Sequence, residues 1–211
     1  MKRFIGAFLA TLAVAGCASD GGGQLQNVNG VKARDMPVDS KGLVTGTGIE
    51  GQDIVSMTNR MGRDLMAAPF LNGLPKPPRI IIDEQYFRNE GSQIINRRLI
   101  TDRLRVELNR SSQGRLTFVG REYAKMVATE RDLKRQGATD VGTTGMTRAQ
   151  AGADYRLGGT ISTLDSRDPR SGVVERYNQI IFEMIDLESG VIAWSGIYEF
   201  KRAAADDVIY R

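Results

Sequence analysis

The last third of the chain alternates apolar and polar residues, and this pattern limits the fold more than any other feature of the sequence. Residues 155–161 place an apolar or small residue at every second position, as in a strand with one buried face. Residues 177–187 are apolar on both faces, and residues 191–200 alternate again after the tight turn Glu188-Ser189-Gly190. The pattern predicts an antiparallel meander of three strands, with both faces of its middle strand partly covered.

The third predicted strand carries large apolar residues on one side: Ile192, Trp194, Tyr198 and Phe200. Such a row is typical of a buried core, or of a sheet edge that packs against a helix. An aromatic platform for a ligand is the alternative interpretation.

Helical and strand periodicities alternate along the preceding part of the chain. The predicted elements are a helix over 52–67, a strand over 79–83, a helix from Ser92 to Ser111, a strand over 116–119 and a helix over 121–136. Residues 84–91 and 165–172 are predicted to be loops. Together with the meander, this order predicts an α/β fold, with a mixed sheet of about five strands that ends in the antiparallel meander and is flanked by helices.

The chain contains no histidine and a single cysteine, Cys17. This composition excludes Ser-His-Asp and Cys-His catalysis, histidine zinc ligands and histidine-ligated haem. The carboxylates of Asp83, Glu84 and Asp186 form no recognisable acid/base motif, and Asp83 and Asp186 are predicted to end strands. We therefore predict neither an enzyme nor a bound cofactor or metal.

Residues 46–51 match the dinucleotide-binding pattern G-x-G-x-x-G. That fingerprint requires a buried strand immediately before it, and Leu43 and Val44 are the only apolar residues between positions 40 and 45. We attribute the match to a glycine-rich composition.

The N-terminus has the organisation of a secretory signal, with the basic Met1-Lys2-Arg3 followed by an apolar run. The run is too short to span a membrane, which takes about 20 apolar residues. It ends in Val14-Ala15-Gly16-Cys17, which is similar to a bacterial lipobox. We predict a signal peptide over residues 1–16 and acylation of Cys17; an ordinary signal that is cut elsewhere is the alternative.

Acyl chains on the cysteine would hold the mature protein at a bilayer, because each buried CH₂ contributes about 0.8 kcal/mol. Residue 18 is alanine rather than aspartate, and the sorting rule for Gram-negative lipoproteins then predicts the outer membrane, on its periplasmic face. Residues 17–48 are predicted to be a lipidated, flexible tether, 49–202 a globular domain and 203–211 a C-terminal tail. The formal net charge of +4 is too small to predict a nucleic-acid partner.

Two stretches, Gly152-Ala153-Asp154-Tyr155-Arg156-Leu157 and Asp186-Leu187-Glu188-Ser189-Gly190-Val191-Ile192-Ala193-Trp194-Ser195-Gly196, resemble the LpoB family of outer-membrane lipoproteins. The resemblance covers roughly Gln52 to Lys201 and rests on residues that maintain a fold. It implies that the globular domain docks on a small regulatory domain of a class A penicillin-binding protein. It also implies that docking stimulates glycan polymerisation and peptide crosslinking, with no chemistry by the lipoprotein itself.

Two loops supply the predicted partner-binding residues, because loops on a rigid scaffold commonly carry contacts. They are Met146 and Arg148 in a Gly/Thr-rich loop, and Arg167, Asp168 and Arg170 between the first two meander strands. Plain solvated loops are the alternative interpretation.

The helix predicted over 92–111 carries Arg97, Arg98 and Arg105 on one face. A run of charges of this kind is typical of a solvated helix face. Binding of an acidic partner is the alternative.

A second functional class is a structural or assembly lipoprotein, because the same fold is similar to the periplasmic domain of the curli secretion-pore lipoprotein. That pore needs amphipathic membrane-crossing strands of about 9 to 11 residues, and the chain has no spare pair of them. The tether departs from the LpoB pattern, since it is short and glycine-rich with Pro37 as its only proline. Its reach is marginal for a partner in the inner membrane.

Overall fold

The computed structural model describes residues 33–140, 149–205 and 208. The chain divides into two units at Met36, and all the elements below belong to the second unit. They are α1 (Gly51–Met66), a 3₁₀ turn (Pro69–Leu71), β1 (Arg79–Ile81), β2 (Phe87–Asn89), α2 (Arg97–Ser111), β3 (Thr117–Phe118), a second 3₁₀ turn (Arg121–Tyr123), α3 (Ala124–Arg135), β4 (Tyr155–Arg167), β5 (Val174–Asp186) and β6 (Ile192–Ala204). None of the helices among these residues is long and apolar enough to cross a membrane.

The six strands form one mixed sheet in the order β3-β1-β4-β5-β6, and β2 pairs with β4 beyond the end of β1. The pairs β1–β3, β1–β4 and β2–β4 are parallel, whereas β4–β5 and β5–β6 are antiparallel. The predicted fold class is therefore confirmed: a mixed sheet with an antiparallel meander at its C-terminal end, accompanied by three helices.

The core lies between one face of this sheet and the apolar faces of α1 and α2. Every second residue of β5 points into it, and the rings of Phe87 and Phe182 stack there with centroids 5.2 Å apart. The fully buried side chains that fill it include Met57, Met61, Leu65, Ile100, Leu104, Leu108, Leu157, Ile161 and Ile180. Helix and strand periodicities thus place their apolar positions on a common interface.

The aromatic row of β6 packs against this core, as predicted for Trp194, Tyr198 and Phe200. Ile192 does not join them, because β6 contains a register irregularity. Met184 lies opposite Trp194 and Ile185 lies opposite Ile192, so Ala193 is an extra residue between the two pairs. A bulge of one residue moves the preceding side chain to the other face of the sheet.

Helix α2 begins at Arg97 rather than at the predicted Ser92. Asn96 is its N-cap, and its side-chain oxygen accepts the N–H of Arg98 at 3.1 Å. The preceding residues are engaged in tertiary hydrogen bonds instead, since the backbone carbonyl of Gln93 accepts the side-chain amide of Asn89 at 2.7 Å. The backbone carbonyl of Gln93 therefore already has a hydrogen-bond partner outside the helix, and α2 does not extend back to Ser92.

Three further boundaries differ from the predictions. The predicted loop 84–91 contains β2, whose Phe87 is fully buried. The predicted loop 165–172 is shorter, because β4 continues to Arg167 and β5 begins at Val174. Near this loop the two strands are joined by the ion pair of Asp165 with Arg176 (2.6 Å). The helix predicted over 121–136 is divided into a 3₁₀ turn and α3, and α3 has no buried residue.

The segment just before α1 is fixed to the domain by buried side chains. Gln93 accepts the N–H of Ile49 at 2.8 Å and donates to its carbonyl at 2.9 Å. Asn178 donates to the carbonyl of Thr47 at 2.9 Å, and Arg202 donates to that of Gly48 at 2.8 Å. Residues 46–49 are buried, so the last three residues of the predicted tether pack on the globular domain.

A bidentate ion pair joins β6 to α1. The two guanidinium Nη atoms of Arg202 lie 2.8 Å and 2.7 Å from the two carboxylate oxygens of Asp53. Asp53 also accepts the backbone N–H of Glu50 at 2.8 Å, as part of a capping box at the start of α1. One buried carboxylate therefore fixes both the helix start and the last strand.

Candidate docking surface

The face of the meander that points away from α1 and α2 is the most accessible large surface of the sheet. It carries the alternate residues of the three strands, including Gly158, Glu183 and Ile197. Over the part of the chain that the structure describes, no helix packs on it. Its side chains range from half-buried on β5 to exposed on β6. We call it the outer face.

A cavity of about 190 Å³ opens at one end of the outer face. Gly158 is one of its lining residues, and a Cβ at this position would lie 3.3 Å from Cδ1 of Ile185. The residues that line it are Tyr86, Arg156, Leu157, Gly158, Ile185 and Leu187. We call it the Gly158 pocket.

Arg156 fixes one wall of this pocket. Its Nη2 lies 2.6 Å from Oδ2 of Asp83 and 2.6 Å from Oε1 of Gln85. The guanidinium carbon also stands 4.5 Å from the centroid of the Tyr86 ring, in a cation–π contact. The loop between β1 and β2 is thereby held against β4, and Tyr86 keeps its position at the pocket mouth.

The rim of the pocket combines exposed apolar side chains with acidic groups. Tyr86, Leu187 and Ile192 are 56%, 47% and 51% exposed. Glu183 lies directly opposite Gly158 in the β4–β5 register, and Glu188 is exposed in the turn after β5. A cluster of this composition is typical of a surface that contacts another macromolecule.

Asp186 is held in its ionised form by the turn that follows it. Its pKa lies below the ordinary value because its carboxylate accepts the backbone N–H and the hydroxyl of Ser189 and the N–H of Glu188. Asp186 ends β5, as predicted, and lies opposite Tyr155, on the core side of the sheet rather than at the Gly158 pocket.

The predicted residues Arg167, Asp168 and Arg170 lie at the other end of the same hairpin. Since β4 has 13 residues, they are separated from Arg156 by roughly 40 Å of strand. Asp168 accepts the hydroxyl of Ser171 at 2.6 Å and the N–H of Arg170 at 3.0 Å, and these bonds lower its pKa. Its visible role is to form the turn.

The other predicted positions cannot be placed relative to the pocket. Met146, Arg148 and the lipidation residue Cys17 lie outside the described residues. The partner-binding role of all five predicted residues therefore stays a prediction.

The arginine-rich face of α2 is largely neutralised within the molecule. Arg105 lies 2.7 Å from Asp102 and 3.4 Å from Glu122, and Arg98 pairs with the same two carboxylates. These contacts join α2 to the second 3₁₀ turn and raise the pKa of both arginines. This arrangement favours a structural and solvated role for the face over recognition of an acidic partner.

Sequence reasoning missed the Gly158 pocket, although one signal was present. Gly158 and Gly159 are adjacent glycines in a strand, and glycine in a strand often marks a close approach or a gap. Among the described residues, no group of three or more carboxylate or cysteine side chains is arranged to hold a metal ion.

These features define a small α/β domain whose exposed sheet face is suited to contact with another macromolecule. The family model described as peptidoglycan-synthase activator LpoB matches residues 53–200, and the chain belongs to this family.

Two solved structures are similar to the chain at low sequence identity. The LpoB C-terminal domain from Salmonella enterica is 20% identical over 68% of this chain and 94% of that one, with a TM-score of 0.37. The lipoprotein GNA1162 from Neisseria meningitidis is 16% identical over 63% of this chain and 88% of that one, with a TM-score of 0.33. No curated protein matches the chain.

Proposed function

We propose that this protein is a non-enzymatic lipoprotein of the outer membrane that faces the periplasm, and that it binds and activates a class A penicillin-binding protein in peptidoglycan synthesis. The observation that carries this proposal is the match of residues 53–200 to the family of peptidoglycan-synthase activators. Activation then depends on contact with the synthase, and the lipoprotein supplies no reacting group.

The outer face of the meander is the surface that we assign to this contact. It is a flat face on three long paired strands, and one end carries a preformed cavity beside exposed apolar side chains. Interfaces draw most of their binding energy from a few central anchors in well-packed pockets. The Gly158 pocket provides such a position.

Anchoring is assigned to Cys17, on the lipobox-like Val14-Ala15-Gly16-Cys17. Mass spectrometry of the mature protein, extracted from membranes with detergent, is expected to show an N-terminal cysteine that carries fatty acyl chains. A mature N-terminus at any other residue, or an unmodified thiol at position 17, contradicts this assignment.

Activation can be measured with the chain from residue 18 onwards, which lacks the acylated cysteine. We expect it to raise the rates of glycan polymerisation and peptide crosslinking by a class A synthase of the same organism, assayed on its lipid-linked substrate. Heat-denatured protein at the same concentration is the control. Unchanged rates for every class A synthase would overturn the proposal, and a ring-like oligomer by light scattering would favour an assembly lipoprotein instead.

A further inference from the structure

We propose that the Gly158 pocket receives one apolar side chain, of leucine or phenylalanine size, that the partner presents next to a lysine or arginine. The inference rests on the proposed function for the identity of the partner as a synthase. It adds the position of the anchor on this domain, and the chemistry of the segment that fills it.

The size of the pocket favours a single side chain. A cavity of about 190 Å³ is too small for an extended ligand and large enough for one branched or aromatic group. Its apolar walls are formed by Tyr86, Ile185 and Leu187, and an apolar anchor would displace water from them. A polar side chain would lose its hydrogen bonds to water there, with little compensation.

The charge around the pocket favours a basic neighbour for that anchor. Glu183 lies opposite Gly158 on β5, and Glu188 is exposed in the turn after β5. Arg156 is already engaged with Asp83 and with the ring of Tyr86. Arg88, opposite Thr160 on the same face, pairs with Glu90 at 3.8 Å. The rim is therefore net negative, and electrostatic complementarity selects a partner surface that carries positive charge.

The pocket is also held in shape before any partner arrives. Arg156 ties the loop of Asp83 and Gln85 to β4, and the turn at Asp186 is closed by the backbone bond from its N–H to the carbonyl of Val191 (2.9 Å). A preformed site does not have to order its own side chains when the partner binds, and this preserves affinity.

Two of the larger grooves, both on the helical side, are less suited to an apolar anchor. The groove of about 510 Å³ between α1 and α2 is lined by charged side chains such as Arg63, Glu107 and Arg115. The groove of about 580 Å³ along α2 includes Arg98 and Asp102, which already pair with each other. Both are wide and open, and charged side chains line much of each.

Two substitutions test the anchor and its charge separately. Leu187→Ser removes an apolar wall of the pocket, and Glu183→Lys reverses one charge on the rim. Leu164→Ser is the matched control, because Leu164 is an exposed apolar residue on the same outer face of β4, about 20 Å along the strand from Gly158. Thermal unfolding of each variant checks that the fold is retained.

Binding of the mature chain from residue 18 onwards to the periplasmic part of each class A synthase is then measured by calorimetry or by surface-based kinetics. We expect Leu187→Ser and Glu183→Lys each to weaken binding roughly tenfold or more, with Leu164→Ser within about twofold of the unchanged protein. The loss caused by Glu183→Lys should shrink at high salt, because it acts through charge.

The outcomes separate this inference from the proposed function. If the unchanged protein binds a synthase and Leu187→Ser binds as well as Leu164→Ser, the pocket is not the anchor site and the activator role stands. If Leu187→Ser weakens binding and Glu183→Lys does not, the proposal that the partner carries a lysine or arginine next to the anchor is wrong. If the unchanged protein binds no class A synthase, the proposed function fails and the assignment of the pocket to that partner fails with it.

Discussion

Gly159→Ala is expected to lower the free energy of unfolding by about 3 kcal/mol, which is at the upper end of the usual cost of overpacking a core. Gly159 is buried in β4, and a Cβ at this position would lie 2.5 Å from Cε2 of Phe87 and closer still to the carbonyl oxygen of Ile181. The carbonyl belongs to the paired strand and cannot move without breaking the sheet. Urea denaturation gives the change directly, and the melting temperature should fall by roughly 10 °C.

Gly158→Ala is the matched control for this prediction. It makes the same change one residue earlier in β4, but its Cβ would approach Cδ1 of Ile185 at 3.3 Å and the carbonyl oxygen of Tyr86 at 3.4 Å. The end of an isoleucine side chain can rotate away, so the expected cost is below about 1 kcal/mol. Equal losses for the two alanine variants would show that the close approach at Gly159 is not what fixes the sheet here.

Arg202→Leu is expected to destabilise the fold by about 3 kcal/mol, because removing one partner of a buried ion pair leaves an uncompensated charge. The carboxylate that remains belongs to Asp53, whose side chain is only 6% exposed. It retains the backbone N–H of Glu50, and this places the loss at the low end of the range for buried pairs. The same change also removes the hydrogen bond from Arg202 to the carbonyl of Gly48.

Lys201→Ala is the corresponding control on the same strand. Lys201 pairs with Glu175 at 2.9 Å, but both side chains are about half exposed. Exposed pairs of this kind are worth little, so the expected change is below about 0.5 kcal/mol. If the denaturation curves of Arg202→Leu and Lys201→Ala have the same midpoint, the stabilising role given to the Arg202–Asp53 ion pair is contradicted.

The elements that could be predicted from the sequence are those whose apolar residues recur over several periods. Helix α1 was predicted over 52–67 and is observed over 51–66, and the long strands β5 and β6 were located by their alternation. In each of these elements, several apolar residues fall on the same face, and that face packs against the core. Local pattern and tertiary packing then point to the same structure.

The elements that were missed depend on contacts between distant parts of the chain. β2 has three residues and one buried side chain, Phe87, so it has no period to detect. The segment before α2 is held by hydrogen bonds that Gln93 makes with Ile49, 44 positions earlier, and with Asn89. The side of β6 on which Ile192 lies depends on a bulge of one residue, which leaves no mark in the composition.

The candidate site was harder to predict than the fold for the same reason. The Gly158 pocket combines a loop residue, Tyr86, with residues of β4 and of the turn after β5, and nothing in their spacing along the chain relates them. The sequence prediction placed the contacts on loops instead. Arg167, Asp168 and Arg170 lie in one of them, at the opposite end of the hairpin.

The buried attachment of Thr47, Gly48 and Ile49 determines how mechanical tension enters this domain. A pull along the N-terminal segment is carried by Asn178, Arg202 and Gln93, as well as by the bonds of Gly42 and Gly46 to the start of α1. These side chains belong to β5, to β6 and to the loop before α2, so the load is divided over three distant regions. The first turn of α1 therefore does not carry the whole load.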